Sequence, residues 1–274
     1  MTVPGLKNPY SMAVVRDYLF ISEWQSDKLH KVKILIELST DKPDDSSTYE
    51  RLLFGNREGL NALSASKDCK HLIVTCPEVS KLKLIDINGT IIRQIPLDSS
   101  INKPYHAIQL NDDDSQEAFS ITQTENETNA TFPRERTERY AISQVGELFN
   151  RIVLIDGTGK MLATYGIMKG GPGAVDRKMS TYSFSATQIQ ATTQEQLNGP
   201  FRLCADLINN LVFVSDHYNH RILLLESRTL KHVRELISPT FGLSFPLDIC
   251  FDTERQLLHV ADLDNKRFIT FKFN

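Results

Sequence analysis

The chain has little of what marks metal-binding, membrane and nucleic-acid proteins. Its four cysteines do not show the paired spacing of a zinc site. No apolar run approaches the roughly 18 residues of a membrane-spanning helix, and the first residues lack the charged start and apolar core of a signal peptide. The net charge of −3 gives no general attraction to phosphate or anionic membranes. We therefore expect no metal, no cofactor, no membrane, no DNA and a cytoplasmic location.

Two segments in the last quarter of the chain repeat one plan. Each has a short apolar strand, an aspartate, a polar turn, an arginine and a second apolar strand. Asp216 and Asp262 are 46 residues apart, and each is followed five residues later by an arginine, Arg221 or Arg267. A period of about 40 to 50 residues is typical of propellers and other repeat proteins. The spacing therefore predicts successive blades.

Three earlier segments carry weaker copies of this plan. In the first, Glu23 takes the aspartate position and Lys28 the arginine position, and Cys76 and Gln123 take the acid position in the second and third. A short strand opened by a proline precedes four of the units, and a further β-rich run follows each basic strand. The leading residues are Pro9, Leu60 (in place of proline), Pro104, Pro200 and Pro246.

These patterns predict an all-β chain. Each unit forms four short antiparallel strands, and such a sheet cannot bury both faces alone, so the units must stack around an axis. We expect a β-propeller of four-stranded antiparallel blades, five of them readable, in one domain over residues 1–274. An insertion at 124–150 lies within the turn of the third blade, and a long loop at 168–196 separates the third and fourth blades. Two arrangements are open: a ring of five blades, or a ring with a further blade outside this chain, and we favour the second, with the chain as part of a longer protein.

The repeats resemble those of the NHL-repeat family of β-propellers. The resemblance rests on YNHRILL at 218–224, on DNKRF at 264–268 and on the proline-led strands, and it is close only in the last two units. It implies a ring of usually about six blades and a recognition domain like that of TRIM-NHL ubiquitin ligases, which bind protein or single-stranded RNA. The chain has no RING or B-box spacing of cysteine and histidine, so ligase activity is not expected of it.

The repeated acid–base pairs are predicted to be structural. A catalytic group is needed once, whereas a device present in several blades usually holds the framework, here by pinning the turn between second and third strands. By the same pattern Lys81 and Arg151, which follow Cys76 and Gln123, would be unpaired bases. The predicted pairs are Glu23 with Lys28, Asp216 with Arg221, and Asp262 with Arg267.

Binding residues are expected where equivalent positions differ between blades. Two residues after the leading position the blades carry Ser11, Ala62, His106, Arg202 and Asp248, which the innermost strands would bring to one mouth of the central channel. The turn between second and third strands opens on the same face and adds aromatic side chains. The candidate binding residues are Trp24, His106, Arg202, His217, Tyr218 and Asp248.

These features favour a non-catalytic binding scaffold. The expected partner is a protein, with single-stranded RNA as the alternative. A channel-metal propeller enzyme of the lyase or lactonase type would need several histidine, carboxylate or asparagine ligands around one ion. The mouth positions offer only one histidine and one aspartate, so we expect the chain not to be an enzyme. A structural repeat of a larger extracellular protein is the remaining alternative.

Overall fold

Buried and exposed side chains alternate along the chain, which is the pattern that favours β-strands. The computed structural model describes residues 6–23, 26, 28–34, 49–53, 60–112, 138–146, 149–168 and 196–273. Within these ranges the chain forms β-strands and three short 3-10 turns, and no α-helix. In the first strand Ala13 and Val15 are buried, while Met12 and Val14 point to the other face. Each strand can therefore pack one face on a neighbouring sheet.

The first three blades are antiparallel sheets of four strands each, taken in sequence order. One 3-10 turn, Pro77–Val79, lies between the second and third strands of the second blade. The strands are β1 (Pro9–Val15), β2 (Tyr18–Glu23), β3 (Lys28–Lys33) and β4 (Tyr49–Leu53); β5 (Leu63–Ala65), β6 (Leu72–Cys76), β7 (Lys81–Ile85) and β8 (Ile91–Pro96); and β9 (Pro104–Leu110), β10 (Arg139–Val145), β11 (Phe149–Asp156) and β12 (Met161–Met168).

The fourth blade also has four strands, and the fifth has three within the described residues. Two further 3-10 turns, His217–Asn219 and Pro239–Phe241, lie in and after the fourth blade. The strands are β13 (Pro200–Asp206), β14 (Leu211–Asp216), β15 (Arg221–Glu226) and β16 (His232–Ile237), and β17 (Pro246–Asp252), β18 (Leu257–Asp262) and β19 (Arg267–Lys272).

The blades are arranged around an axis with their first strands innermost. β1 packs beside β5, β5 beside β9, β9 beside β13, and β13 beside β17. The predicted all-β propeller of antiparallel blades is therefore confirmed. Among the described residues, no strand of the first blade packs on a strand of the fifth to a comparable extent.

The apolar core lies between successive blades. Four clusters of buried side chains fill the four spaces from the first blade to the fifth. Phe20, Tyr140 and Phe213 are among the largest of these side chains and are fully buried. Full burial of a large apolar side chain stabilises a fold by about 1.5–3 kcal/mol, so these inter-blade clusters carry much of the stability.

The third blade differs from the sequence-based expectation. Its second strand is β10, which pairs with β9 and β11 and lies inside the range predicted as an insertion at 124–150. The strand expected around Gln123 lies outside the described residues, as does most of the loop at 168–196. The long connection leaves at Asp112 and returns at Glu138. It therefore joins the first strand to the second, at the end of the blade opposite to the predicted turn.

Among the residues that the structure describes, no helix is long and apolar enough to cross a membrane.

Candidate binding site at the channel mouth

The channel mouth is the face on which first strands begin and second strands end. Its turns are held by buried acids, as the fourth blade shows. Asp216 Oδ2 accepts hydrogen bonds from Arg221 Nε at 2.7 Å and from Asn219 Nδ2 at 2.8 Å. Its Oδ1 accepts one from the backbone N–H of Asn198 at 2.7 Å, and Arg221 also donates to the carbonyl of Gln196 at 2.9 Å. The pair thus ties the turn after β14 to the loop that leads into β13.

The fifth blade repeats this arrangement atom for atom. Asp262 Oδ2 accepts from Arg267 Nε and Asn265 Nδ2, both at 2.8 Å, and Oδ1 accepts from the N–H of Ser244 at 2.7 Å. Arg267 donates in turn to the carbonyl of Gly242 at 3.1 Å. The pair thus holds both the turn after β18 and the loop that leads into β17.

The first blade has a looser version. Glu23 Oε1 accepts from the backbone N–H of Lys7 at 2.6 Å, and Lys28 Nζ lies 3.9 Å from Oε2. His30 Nε2 lies 3.5 Å from Oε1. Although burial pushes the other way, these partners hold the pKa of Glu23 below its ordinary value.

In the third blade the acid position is filled by Gln144. Arg151 Nε donates to Gln144 Oε1 at 2.8 Å, and another of its nitrogens donates to the carbonyl of Ser100 at 2.7 Å. The expectation that Arg151 would lack a partner is wrong, because the side-chain amide offers the same acceptor that a carboxylate would. The two residues are separated by seven positions, and not by five as in the other blades, which hid the equivalence.

The surroundings of the two buried aspartates shift their pKa values in opposite directions. Burial raises the pKa of Asp262, but the bonds from Asn265, Ser244 and Arg267 outweigh it and the net direction is down. Burial dominates at Asp216 and raises its pKa, although Arg221 opposes the rise. The carboxylate of Asp216 is therefore the more dependent on its partner.

Arg202 spans the channel at the level below the mouth. Only 6% of Arg202 is exposed. Its Nη1 donates to Ser11 Oγ at 3.0 Å and its Nη2 to the carbonyl of Tyr10 at 3.2 Å, so it crosses from the fourth blade to the first. Ser11 Oγ in turn accepts from the N–H of Leu63 in the second blade at 2.9 Å. No carboxylate lies within ion-pair distance of Arg202 in the described part of the chain.

His106 is bound across the same channel. It is 5% exposed, and its Nδ1 accepts a hydrogen bond from the N–H of Leu203 at 3.2 Å. Burial, reinforced by the charge of Arg202, lowers the pKa of His106 well below 6.5, so the ring is neutral at pH 7. Both His106 and Arg202 therefore join blades inside the molecule, and a partner at the mouth does not reach them directly. Asp248, at the equivalent position of the fifth blade, is exposed.

Five aromatic side chains form a continuous run at the mouth, which we call the aromatic rim. The ring centroids of Tyr10 and Tyr105 are 6.1 Å apart, and those of Tyr105 and Phe201 are 4.9 Å apart. Tyr218 lies 5.8 Å from Phe201 and 6.1 Å from Phe245. The rim thus extends over the first, third, fourth and fifth blades. Tyr218 is its most open member, at 37% exposure.

Two neighbours fix the position of Tyr218. Gly199 has a φ of +69°, and a Cβ at this position would lie 2.6 Å from the Tyr218 ring, so only glycine allows the ring to lie flat against the loop. His217 packs edge-on at 4.7 Å from the same ring. Its Nδ1 lies 3.1 Å from the carbonyl of Pro246, which can only accept, so this nitrogen carries the proton. Burial lowers the pKa of His217, which leaves Nε2 as a neutral acceptor.

The structure divides the predicted binding residues into three groups. Tyr218 and His217 lie at the mouth, whereas His106, Arg202 and Asp248 occupy equivalent positions on the innermost strands, the first two buried and the third exposed. Trp24 lies outside the described residues. The other four members of the rim were missed, although the sequence carries a signal for three of them. Tyr10, Tyr105 and Phe201 each directly follow a leading proline.

The described residues contain no group of three or more histidine, cysteine, aspartate or glutamate side chains placed to hold a metal ion.

Comparison with known proteins identifies the fold and leaves the family open. No family model matches the chain, and no curated protein matches it. A streptogramin B lyase structure superposes with a TM-score of 0.54 at 11% identity, over 100% of this chain and 71% of the other. Virginiamycin B lyase from Staphylococcus aureus gives 0.50 at 12% identity, over 98% and 71%. A protein of unknown function from Bacteroides caccae gives 0.58 at 10% identity, over 96% and 77%.

These similarities support a propeller, and they do not show membership of the NHL family. They also correct the expectation that the chain is not an enzyme, since two of the propellers it is similar to are lyases. At 11% and 12% identity the likeness extends to the fold alone. The chain is a β-propeller whose structural neighbours include enzymes.

Proposed function

We propose that the aromatic rim is the binding surface of this propeller and that a partner protein docks on it. The observation that carries the proposal is the unbroken run of ring contacts from Tyr10 to Tyr218 and Phe245. Tyrosine and phenylalanine rings offer a large contact area with few rotatable bonds, and they are enriched where interfaces hold most of their binding energy. The rim is also supported from below by the buried His217.

Charge favours a protein over single-stranded RNA. Asp248 is exposed on the innermost strand of the fifth blade and would repel phosphate, whereas Arg202, which lies beside the rings of Tyr10 and Tyr105, is buried. Binding of single strands generally needs an accessible basic groove beside the stacking rings. Among the described residues, Arg202 is the one cation that lies over rings of the rim, and it is buried.

Substitution of Tyr218 tests the proposal. We expect Tyr218→Ser to remove the proteins that the unmodified chain captures from an extract, because the most open ring of the rim is lost. Ile208→Ser is the matched control, since Ile208 is 71% exposed in the turn between β13 and β14, on the opposite face. Ile208→Ser should melt within about 2 °C of the parent, as surface substitutions usually do, and Tyr218→Ser, whose ring contacts Phe201, His217 and Phe245, should melt at a lower temperature in a single cooperative transition.

Two outcomes would contradict the proposal. One is capture that survives Tyr218→Ser and is lost in Ile208→Ser, which would place the interface on the other face. The second is capture of RNA whose affinity falls steeply with salt, which would make the partner a nucleic acid.

A lyase-type reaction is the second candidate function, and His217 is the observation that favours it. Its proton is held at Nδ1 by the Pro246 carbonyl, so its Nε2 is available to accept a proton from a bound substrate. Incubation with a streptogramin B antibiotic, followed by mass spectrometry, tests for cleavage. We expect His217→Gln to abolish any such activity, and an unaffected rate in that variant would exclude His217 as the base.

A further inference from the structure

The loop that leads into β17 holds one member of the aromatic rim in a strained backbone conformation. Phe245 has a φ of +54°, in the left-handed region that residues other than glycine seldom adopt. The equivalent residue of the fourth blade is Gly199, for which this region costs little. A strained residue keeps such a conformation only where its surroundings fix it. The position of the Phe245 ring therefore depends on the contacts that hold its own backbone.

Two histidines of the turn after β14 hold this loop in opposite senses. His220 Nδ1 accepts a hydrogen bond from the N–H of Phe245 at 3.1 Å, and His217 Nδ1 donates one to the carbonyl of Pro246, also at 3.1 Å. Both imidazoles pack on the Phe245 ring, with centroids 4.3 Å away for His220 and 5.2 Å away for His217. The fourth blade thus fixes the Phe245 end of the rim through two imidazole rings.

The two histidines respond differently to a proton. The N–H of Phe245 can only donate, so His220 Nδ1 is unprotonated and the neutral ring carries its hydrogen on Nε2. A proton added to His220 must bind at Nδ1, where it removes the acceptor. His217 already carries its hydrogen on Nδ1, and a proton added at Nε2 leaves the bond to Pro246 in place. Of the two, only His220 loses its bond to the loop on protonation.

The charged groups around His220 come from its own turn and from the turn after β18. They are Asp216, His217 and Arg221 in the first turn and Asp262, Asp264, Lys266 and Arg267 in the second. Burial lowers the pKa of His220, and the charges of Asp264 and Asp262 oppose that fall without reversing it. The ring is therefore neutral at pH 7. Its bond to Phe245 is present above pH 6.5 and is lost as the pH falls through the lowered pKa.

We propose that His220 is a pH-sensitive switch of the aromatic rim, which keeps the Phe245 end in place at neutral pH and releases it under mildly acidic conditions. With a proton on Nδ1, two N–H groups face each other and the strained Phe245 loses a bond that held it. Asp264 and Asp262 attract the charged ring toward the fifth blade. Weaker partner binding at acidic pH follows, and this consequence rests on the function proposed above for the rim.

NMR of the 274-residue chain made with nitrogen-15-labelled phenylalanine tests the switch without a partner. The amide signals of Phe245 and Phe213 are assigned by replacing each residue with leucine. Between pH 7.5 and 5.0 we expect the Phe245 amide to shift with one midpoint below pH 6.5, because its hydrogen bond to His220 is lost. The amide of Phe213, which is fully buried in the core, should move little over the same range.

Two substitutions of His220 are the matched controls. His220→Asn puts an amide oxygen where Nδ1 stood, so it accepts from the same N–H and cannot titrate, and asparagine tolerates the φ of +55° at this position. His220→Lys supplies a permanent charge in the left-handed conformation that Lys266 adopts at the equivalent place in the fifth blade. We expect the Phe245 amide to stay near its neutral-pH position in the first variant and near its acidic position in the second. A Phe245 amide that still titrates in His220→Asn would overturn the proposal.

Capture of proteins from an extract at pH 7.5 and 5.5 separates the switch from the function of the rim. The amount captured by the parent should fall several-fold at the lower pH, whereas His220→Asn should capture equal amounts at both. Equal capture by the parent at the two pH values, with a Phe245 amide that titrates, would show that the switch does not regulate binding. Absence of capture at pH 7.5 would contradict the function proposed for the rim, and the NMR titration would still decide whether His220 switches the loop.

Discussion

At the scale of single residues, the exposure of the arginine decides how much each mouth pair contributes. The side chain of Arg221 is 6% exposed and that of Arg267 is 48% exposed. Asp216→Ala removes the buried partner of Arg221 and leaves it only the partly exposed Glu235, 3.1 Å away, so it should lower the free energy of unfolding by about 2–3 kcal/mol. Asp262→Ala leaves a half-solvated cation and should cost about 1–2 kcal/mol, mostly from lost hydrogen bonds. Urea denaturation of the two variants measures the difference.

Equal losses in these two variants would contradict this account. They would show that the bonds to the backbone N–H groups of Asn198 and Ser244, which both carboxylates accept, matter more than the ion pairs.

His106 gives the fold a dependence on pH. Burial holds the folded pKa well below 6.5, whereas the unfolded residue has a pKa of about 6.5. Below pH 6.5 the unfolded state therefore binds a proton that the native state does not. Stability is fully present above that pH and should fall by on the order of 1 kcal/mol per pH unit as the pH drops below it. Urea denaturation between pH 7.5 and 5.5 measures the slope.

The His106→Gln variant isolates this contribution. Gln can still accept the Leu203 N–H and cannot gain a proton, so the slope should become shallower even if the absolute stability is lower. His217 and His220 have pKa values lowered by burial in the same direction and will retain part of the slope. An unchanged slope in the variant would mean that His106 is not the group that titrates.

At the scale of elements, the turn between β11 and β12 shows how tightly the blades interlock. Gly159 has a φ of +91°, and a Cβ there would lie 1.8 Å from the carbonyl oxygen of Pro96 in the second blade. Gly159→Ala should therefore lower stability by roughly 2 kcal/mol or more, through backbone strain and collision. Gly146 is the matched control, because a Cβ there meets nothing within 4 Å. Thermal melts of both variants should differ clearly, and similar melts would contradict the assignment.

Element positions were predictable wherever the repeat kept its spacing. The five-residue interval from Asp216 to Arg221 places both at the facing ends of β14 and β15, where they form a cross-strand pair. In the third blade the interval from Gln144 to Arg151 is longer, and the long connection sits one turn earlier than expected. A strand-like run within that connection was therefore mistaken for the second strand. Local β-propensity does not distinguish that run from RYAISQV, the sequence of β10.

At the scale of the whole molecule, the local stability of a blade depends on how many neighbouring blades it packs on. The second, third and fourth blades are covered on both faces, and the fifth packs on the fourth alone among the described strands. We expect backbone amides of β17–β19 to exchange with solvent sooner than those of β5–β8, since local opening of a flank disrupts one interface. Hydrogen-exchange mass spectrometry resolves these segments, and equal protection would contradict the account.

The composition of the site was less predictable than the fold. The sequence brings His106, Arg202 and Asp248 to equivalent positions, yet the first two are buried and the third is exposed. That difference depends on the curvature of the ring and on side chains more than 90 residues away, such as Ser11. Repeat spacing carries no information about which side chain crosses an axis.

Arg202 links the fourth blade to the first across the channel. Its planar guanidinium donates two hydrogen bonds and so fixes the distance between β13 and β1, two innermost strands that are not neighbours in the ring. The relative position of these two blades is therefore set from inside the channel, and loss of this one side chain would loosen it while leaving every contact between adjacent blades in place.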